Sequence, residues 1–259
     1  MTAPQVLDER TALVQADYNA RVGQWREIYA GTSFHDHTIR RRLARSLQLV
    51  DRLAPRAALD VGCGAGQLLV ELAGRGIATA GVDVAEGMVE ASQTRLRDAG
   101  LSAEVQQSDA TAMPFATGRF DLVTALGVIE YLRQPEAFLR EAARVLAPGG
   151  ALIVTSPNPV RLSFLCDPVR VVVSLLRPPP RGYPRRYFPP WALRRQLATS
   201  GFVVEELQGH GIGEWTIGGR PVLSQPMSIR IGTALERKLP EPALQLLGAN
   251  LIALARTPA

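Results

Sequence analysis

Residues 58–66 constrain the fold more than any other part of this 259-residue chain. A short apolar run meets Asp60, and three glycines then fall within five positions: Gly62, Gly64 and Gly66. Glycine tolerates positive φ angles and lets the backbone approach a ligand closely. Leucines at helical spacing follow: Leu68, Leu69 and Leu72. The segment therefore predicts a buried strand, a tight turn and the N-terminus of a helix, with room for a ligand over the turn.

Acidic residues stand at the ends of the first three predicted strands. Asp60 belongs to the first strand. The second strand pattern, 77–82, ends at Asp83, and the third, 103–107, is followed by Asp109. Each aspartate taken singly could cap the helix that follows, since Asp is a favoured N-cap residue. Taken together, the three carboxylates converge on the crevice at the carboxyl ends of the strands, where open α/β sheets bind ligands.

Strand and helix patterns alternate through the middle of the chain, which predicts a parallel sheet with right-handed crossovers. Further strands are predicted at 120–126, 151–155 and 202–207. The connecting helices are predicted at 84–99 and 134–147, and a third at 191–199. Ahead of the first strand, apolar residues at helical spacing predict two helices, 10–29 and 38–53, with a break at 31–37.

The order of these motifs resembles that of the class I S-adenosylmethionine-dependent methyltransferases. Residues 59–66, LDVGCGAG, are similar to the first motif of that family, and the FDLV strand and the LAPGG turn fall in family order. The resemblance is good over 40–157 and weaker over 189–207. It implies an α/β, Rossmann-like, doubly wound sheet of seven strands, mostly parallel, with an antiparallel last strand at 250–256.

The resemblance also implies S-adenosyl-L-methionine as the cofactor and S-adenosyl-L-homocysteine as its product. The glycine turn and Asp60 are then expected at the methionine end, Asp83 at the ribose hydroxyls, and Asp109 at the adenine edge. Cys63 is expected to be a small spacer in the turn. The full set of predicted cofactor-binding residues is Asp60, Gly62, Cys63, Gly64, Gly66, Asp83, Val84, Met88, Asp109, Ala110 and Leu126.

Three segments outside the minimal fold are expected to roof the site. Residues 1–53 are predicted to form an N-terminal helical cap on a methyltransferase domain of 54–259. Insertions at about 156–190 and 209–249 are predicted to form a substrate lid, because long connections in compact domains tend to be lids or binding loops. The acceptor-binding candidates are aromatic: Tyr18, Trp25, Tyr29, Tyr131 and Trp215. Packing against the sheet is the alternative role of Trp25 and Tyr29.

Methyl transfer needs an acceptor held in line with an already activated methyl group, and positioning can supply up to about 7–11 kcal/mol of the barrier. A general base adds roughly 10²–10⁴-fold where the acceptor must lose a proton. The candidates for this base are His210, Glu130 and His35. Many relatives carry Glu-His where this chain has Glu130-Tyr131, so neither a histidine role nor a metal role transfers to that position. No metal is predicted.

The charge and composition favour a small-molecule enzyme over a nucleic-acid or membrane protein. The net charge is +5, but we expect the arginine clusters, such as 40–42, to lie on solvated helix faces. Cys63 and Cys166 are far apart, which favours a reducing cytoplasm. No signal peptide is evident, and charged residues interrupt the longest apolar stretch, 160–176. Peripheral membrane contact through 169–176 is an alternative, and a monomer or homodimer is expected.

The sequence lacks the motifs that two competing functions would require. A short-chain reductase needs Tyr-x-x-x-Lys, yet the only lysine, Lys238, has Ala234 four positions before it. A base N-methyltransferase would carry Pro-Pro-Tyr after the fourth strand. The closest resemblance is to methyltransferases of ubiquinone and menaquinone biosynthesis and their natural-product relatives. This implies O-methylation of a small lipophilic or aromatic acceptor. Carboxylate or peptide methylation, and non-catalytic S-adenosylmethionine binding, remain the alternatives.

Overall fold

The computed structural model describes residues 7–162, 167, 183, 185–213, 215–217 and 220–258. Its strands are β1 (Ala57–Val61), β2 (Ala78–Asp83), β3 (Glu104–Gln107), β4 (Phe120–Leu126), β5 (Leu146–Pro157), β6 (Val203–His210), β7 (Thr216–Ile217), β8 (Arg220–Pro221) and β9 (Asn250–Arg256). Its helices are α1 (Glu9–Ala20), α2 (Val22–Glu27), α3 (Phe34–Leu53), α4 (Gln67–Gly74), α5 (Glu86–Asp98), α6 (Pro135–Val145), α7 (Pro190–Thr199), α8 (Gln225–Lys238) and α9 (Glu241–Leu247). Cys166, the stretch 169–176 and most of the predicted insertion 156–190 lie outside the described residues.

The described residues form a seven-stranded sheet in the order β3-β2-β1-β4-β5-β9-β6. β1 pairs in parallel with both β2 and β4, whereas β9 is antiparallel to both β5 and β6. The predicted Rossmann-like sheet with an antiparallel last strand is therefore confirmed. β2 and β3 are added on one side of β1, whereas β4 and β5 are added on the other, so the strand order reverses between β1 and β4. Doubly wound folds open a ligand crevice at such a switch point.

Helices cover both faces of the sheet. Successive strand residues point to opposite faces, so Leu59 joins the core under α6 and α7, whereas Ala58 joins the core under α3 and α4. Phe138 and Leu139 of α6 are fully buried in the first of these cores. Burying a side chain of this size stabilises the fold by about 1.5–3 kcal/mol. The sheet is thus a rigid platform whose carboxyl edge stays available for a site.

The N-terminal helices depart from the predicted bounds. The helix predicted over 10–29 is divided at Arg21, whose backbone N–H bonds to Tyr18 O and ends α1. α3 begins at Phe34, four residues before the predicted start, because Ser33 and Asp36 form a reciprocal capping box. The predicted break at 31–37 is therefore wrong in its second half, which is the first turn of α3.

The connection from β6 to β9 is mostly helical. It contains the short β7–β8 hairpin followed by α8 and α9. Glu236 of α8 pairs with Arg41 and Arg45 of α3 and accepts hydrogen bonds from the backbone N–H groups of Gly211 and Ile212. α8 is thereby fixed to α3 and to the end of β6. In the described part of the chain, no helix is long and apolar enough to cross a membrane.

Candidate active site

A cavity of about 330 Å³ opens at the carboxyl ends of β1, β2 and β4. Its walls come from these strand ends, from α1 to α3, and from described residues near the insertion after β5. Nine of the predicted cofactor-binding residues line it: Asp60, Gly62, Cys63, Gly64, Asp83, Val84, Asp109, Ala110 and Leu126. The carboxylates expected to converge from three strand ends therefore do meet in one crevice.

The three glycines of the turn have different surroundings. A Cβ atom at Gly64, where φ is 53°, would have no heavy atom within 4 Å. A Cβ atom at Gly66 would lie 2.8 Å from the Cα atom of Ser92 on α5. Gly64 leaves open space beside the backbone, whereas Gly66 is required for close packing of the turn on α5. Gly66 is buried and does not line the cavity, so its predicted contact with the cofactor stays a prediction that the cavity lining does not support.

Asp83 holds the glycine turn in place. Its Oδ2 atom accepts a hydrogen bond of 2.9 Å from the N–H of Gly64, and its Oδ1 atom accepts one of 2.9 Å from the N–H of Ala85. Burial raises the pKa of Asp83, and these backbone hydrogen bonds oppose the shift. Asp83 therefore lines the cavity and braces the glycine turn, whereas the N-cap position of α5 is occupied by Ala85.

Asp60 is a buried carboxyl group at the end of β1. Its Oδ1 atom accepts a 2.7 Å hydrogen bond from the hydroxyl of Thr124 on the neighbouring β4. Burial raises the pKa of Asp60 to about 7, while the Thr124 bond and the positive charge of Arg42 act in the opposite direction. Asp60 is therefore a group whose charge depends on what else occupies the cavity.

Asp109 lies at the other end of the cavity. Its Oδ1 atom accepts hydrogen bonds of 2.7 Å from both the backbone N–H and the hydroxyl of Thr111. These bonds fix the carboxylate after the end of β3, next to Ala110; Ala110 and Val84, which follows β2, also line the cavity. Cys63 also lines it, and burial raises the pKa of its thiol well above 9, so the thiol stays protonated. A spacer role fits this environment.

Glu130 is the buried carboxyl group that follows β4. Its side chain lines the cavity, and among the described residues its Oε2 atom has no hydrogen-bond partner. Burial raises the pKa of Glu130 to about 7, and the nearby charges of Arg42 and Arg185 lower it. The main chain is held by Arg186, whose backbone N–H donates to Glu130 O at 2.8 Å. A buried carboxylate with an unused oxygen is suited to proton transfer at neutral pH.

Aromatic side chains wall the cavity on the side of the N-terminal helices. Four of the five predicted acceptor-binding residues line it: Tyr18, Trp25, Tyr29 and Tyr131. The rings of Tyr18 and Trp25 stack with centroids 5.6 Å apart, and Tyr131 meets Tyr18 edge-on at 5.7 Å. Burial raises the pKa of Tyr18 well above 10 and also that of Tyr131, so both hydroxyls remain neutral hydrogen-bonding groups. This wall suits a flat aromatic ligand.

Met88 and Trp215 do not line the cavity. Met88, predicted to pack against adenine, is fully buried in a cluster that supports Tyr18 and Trp25 from below. Trp215 precedes the β7–β8 hairpin, where its carbonyl accepts a hydrogen bond from Val222 N–H. Of the described residues in the predicted insertion 209–249, Ala249 lines the cavity. The cavity lining thus gives no support to the predicted contacts of Met88 and Trp215, and the lid role of this connection stays a prediction.

The two histidine candidates are placed differently. His210, at the end of β6, is fully buried outside the cavity lining. Burial lowers its pKa well below 6.5, and the charges of α3 arginines add to the effect. A neutral imidazole outside the cavity lining does not meet an acceptor bound there, so the structure gives no support to the predicted role of His210 as the base. His35 lies on the exposed first turn of α3 and does line the cavity.

Arg42 and Arg185 are not among the predicted site residues, yet both line the cavity. The cluster 40–42 is not a uniformly solvated face, because Arg42 lies three and four residues after Ile39 and Thr38, which also line the cavity. This helical spacing is the signal that could have identified it. No such signal precedes Arg185, which reaches the cavity from an irregular segment. In the part of the chain that is described, no group of three His, Cys, Asp or Glu side chains forms a metal-binding set.

Comparisons with known proteins agree with this geometry. A family model of a methyltransferase domain matches residues 59–154. The ubiquinone biosynthesis O-methyltransferase of Azorhizobium caulinodans is 34% identical over 203 residues, which cover 76% of either chain. That of Thiobacillus denitrificans is 32% identical over 171 residues, 63% of this chain and 72% of the other. The magnesium protoporphyrin IX methyltransferase of Synechocystis, solved with bound S-adenosylhomocysteine, shares the fold with a TM-score of 0.66 and 18% identity, over 96% of this chain and all of that one.

Proposed function

This chain belongs to the S-adenosylmethionine-dependent methyltransferases, and we propose that it transfers the methyl group to a hydroxyl group of a small aromatic acceptor. Its cofactor is S-adenosylmethionine, whose sulfonium supplies an activated methyl group when bound. The observation that carries the proposal is the buried carboxyl group of Glu130, a residue that lines the cavity and whose buried Oε2 atom has no hydrogen-bond partner among the described residues.

The charges of the cavity fit this cofactor. The methionine moiety carries one ammonium and one carboxylate, and Asp60 and Arg42 offer the complementary charges side by side. We infer that Asp60 binds the ammonium and that Arg42 binds the carboxylate, because a guanidinium recognises a carboxylate through paired N–H donors. The open space beside Gly64 supports a ligand lying directly against the glycine turn.

The residues at the strand ends are proposed to bind the nucleoside end of the cofactor. We infer that Asp83 accepts the ribose hydroxyls and that Asp109 and Ala110 meet the adenine edge, with Val84 against the ring. We also infer that the backbone of Leu126 contacts the amino group of the cofactor. Each of these residues lines the cavity, and the carboxylates are already fixed by hydrogen bonds to backbone or hydroxyl groups. Such preorganised acceptors lower the entropy cost of binding.

Glu130 is proposed to take the proton that the acceptor hydroxyl loses. Its pKa of about 7 lies far above the ordinary value of 4.5, so at neutral pH a substantial fraction is ionised and basic enough to accept a proton. The aromatic wall of Tyr18, Trp25 and Tyr131 is proposed to orient the acceptor ring. The two curated relatives are named O-methyltransferases, which supports oxygen over nitrogen or carbon as the methylated atom.

The N-terminal helices are proposed to act as a cap, as the sequence predicts for residues 1–53. In the described part of this cap, the Nε atom of Arg10 donates a hydrogen bond of 2.6 Å to Tyr131 O. The Nε2 atom of Gln15 donates one of 2.9 Å to Val84 O. These bonds join α1 to the ends of β4 and β2, across the cavity. Pro157, Arg161 and Tyr187 also line the cavity, which supports a roof formed partly by the 156–190 segment.

The test is a competition between acceptor chemistries. The protein would be incubated with cofactor carrying an isotopically labelled methyl group and three matched probes: a catechol, an aromatic amine and an aromatic acid without hydroxyls. We expect label on the catechol oxygen, detected by mass spectrometry. Label on the amine or the acid alone, or no label on any hydroxylated probe despite cofactor binding measured by calorimetry, would contradict the proposed function.

A further inference from the structure

Four of the described arginines line the cavity, and three of them have assigned contacts. Arg21 is paired with Asp17 one helical turn away. Arg42 lies among the charges of Asp60 and Glu130 and forms a hydrogen bond with Tyr29. Arg161 also has an interaction partner. These contacts leave Arg185 to be explained.

The guanidinium of Arg185 lies over the ring of Tyr131, with its Cζ atom 5.0 Å from the ring centroid. Its electrostatic neighbours are the hydroxyls of Tyr131 and Tyr18 and the carboxyl group of Glu130. No ion pair within 4.0 Å joins it to a described carboxylate. A guanidinium that uses its face for a ring contact keeps in-plane N–H donors for an anion.

We propose that Arg185 is the anion-recognition residue of the acceptor site, and that the acceptor is a hydroxylated aromatic ring that carries a carboxylate. This inference rests on the proposed function, since it assigns the substrate class of the same site. The ring would lie along the wall of Tyr18 and Tyr131 and present its carboxylate to Arg185. A bidentate contact of this kind fixes direction as well as affinity.

The arrangement of charges also selects one orientation of the acceptor. Glu130 would repel the carboxylate of the acceptor, whereas Arg185 would attract it. The hydroxyl group is therefore directed to Glu130, and the carboxylate is directed to Arg185. The reverse orientation would place two negative groups together in a buried site, where like charges are costly. Arg185 thus determines which hydroxyl of a polyhydroxylated ring faces the base.

The test measures binding of a dihydroxybenzoate and the matching dihydroxybenzamide, which differ in charge but hardly in shape. Calorimetry would be done in the presence of S-adenosylhomocysteine, so that no reaction occurs. We expect the wild-type protein to bind the acid about 10- to 100-fold more tightly than the amide, the range of a charge-assisted contact. Arg185→Gln should abolish this preference.

Arg186→Gln is the matched control. This neighbouring arginine does not line the cavity, and its side chain donates to the carbonyl of Arg133 at 2.7 Å. We expect it to keep the preference for the acid. Equal binding of acid and amide by the wild-type protein, or an unchanged preference in Arg185→Gln, would overturn the assignment.

A parallel methyl-transfer assay separates the two proposals. A protein that prefers the acid through Arg185, yet methylates no hydroxyl group, would overturn the proposed function and support the anion site. A protein that methylates the acid and the amide equally well, and binds them equally, would support the proposed function and overturn the role of Arg185. Methylation of the acid at a single hydroxyl, with loss of this selectivity in Arg185→Gln, would support both.

Discussion

The guanidinium of Arg42 lies against Gly127, so close that a Cβ atom at position 127 would stand 2.6 Å from its Nη1 atom. Gly127 also has a φ of 82°, which L side chains rarely adopt. The Arg42 guanidinium can therefore occupy this position only because residue 127 has no side chain. This contact brings a positive charge from the cap to the carboxyl edge of the sheet.

Gly127→Ala should displace Arg42 and weaken cofactor binding by about tenfold or more, the effect of losing one charge-assisted contact. Gly118→Ala is the matched control, because Gly118 also has a positive φ, of 71°, but a Cβ there would meet nothing within 4 Å. Both variants should lose roughly 1–2 kcal/mol of stability from backbone strain. Equal S-adenosylhomocysteine affinity of the two variants, measured by calorimetry, would contradict the role of Arg42.

Asp83→Ala should weaken binding of the cofactor and loosen the glycine turn. The carboxylate accepts hydrogen bonds from the backbone of Gly64 and Ala85, and leaving these donors unpaired should cost about 1–3 kcal/mol of folding stability. Calorimetric titration with S-adenosylmethionine and thermal unfolding would measure the two effects. Asp98→Ala, at an exposed position on α5, should change neither. Cofactor affinity equal to that of the wild type would show that Asp83 is not at the ribose.

Glu130→Gln should lower kcat by about 10²–10⁴-fold, the usual contribution of a general base. In the wild-type protein, kcat should rise with pH through about 7, because the base must be ionised and its pKa is raised to about 7. The variant should lose this rise. Glu136→Gln, an exposed neighbour on α6, should keep the wild-type profile. An unchanged pH profile in Glu130→Gln would assign the titration to another group.

Asp60 and Glu130 should make the cofactor-free protein less stable as pH rises. Their folded-state pKa values of about 7 lie above the ordinary 3.8 and 4.5, so between these limits the folded state holds protons that the unfolded state has released. Stability then falls with rising pH by up to about 1.4 kcal/mol per pH unit for each group, and the loss is complete above the folded pKa.

Asp60→Asn should reduce the fall of the unfolding free energy with rising pH, and urea unfolding at several pH values would measure this change. The amide oxygen can still accept the Thr124 hydroxyl, so packing is preserved. The variant should be more stable than the wild type above pH 7, where burial of the charged carboxylate is most costly. Asp51→Asn, at an exposed position, is the control. Parallel stability curves for Asp60→Asn and the wild type would argue against the raised pKa.

His210→Leu should leave kcat unchanged and should not lower stability. The ring of His210 is fully buried, and within the described part of the chain neither of its nitrogens has a hydrogen-bond partner. An apolar side chain of similar size removes a polar group that gains nothing from burial. Steady-state kinetics and thermal unfolding would measure both. A large loss of kcat in a stably folded variant would restore His210 to the reaction.

The sequence by itself determined the order of the strands in the main sheet and of the helices between them, and the edge at which the site lies. β4 and β9 have the predicted bounds, and the aspartates of β1 and β2 lie at the predicted strand ends. These features are local, because strand periodicity, glycine turns and strand-end carboxylates depend on neighbouring residues in the chain. The start of α3 was also encoded locally, in the capping box of Ser33 and Asp36, but that signal was not recognised.

Tertiary structure alone decided which side chains face the cavity. Gly64 faces open space while Gly66 packs on α5, although the two are alike in sequence. His210 turns away from the cavity, whereas Arg42 and Arg185 line it from elements distant in the chain. The docking of α3 on the sheet and the path of the chain around residue 185 set these positions. The reason is physical: local sequence fixes backbone period and turns, but a site is completed by contacts between distant segments, whose geometry is set by packing of the whole fold.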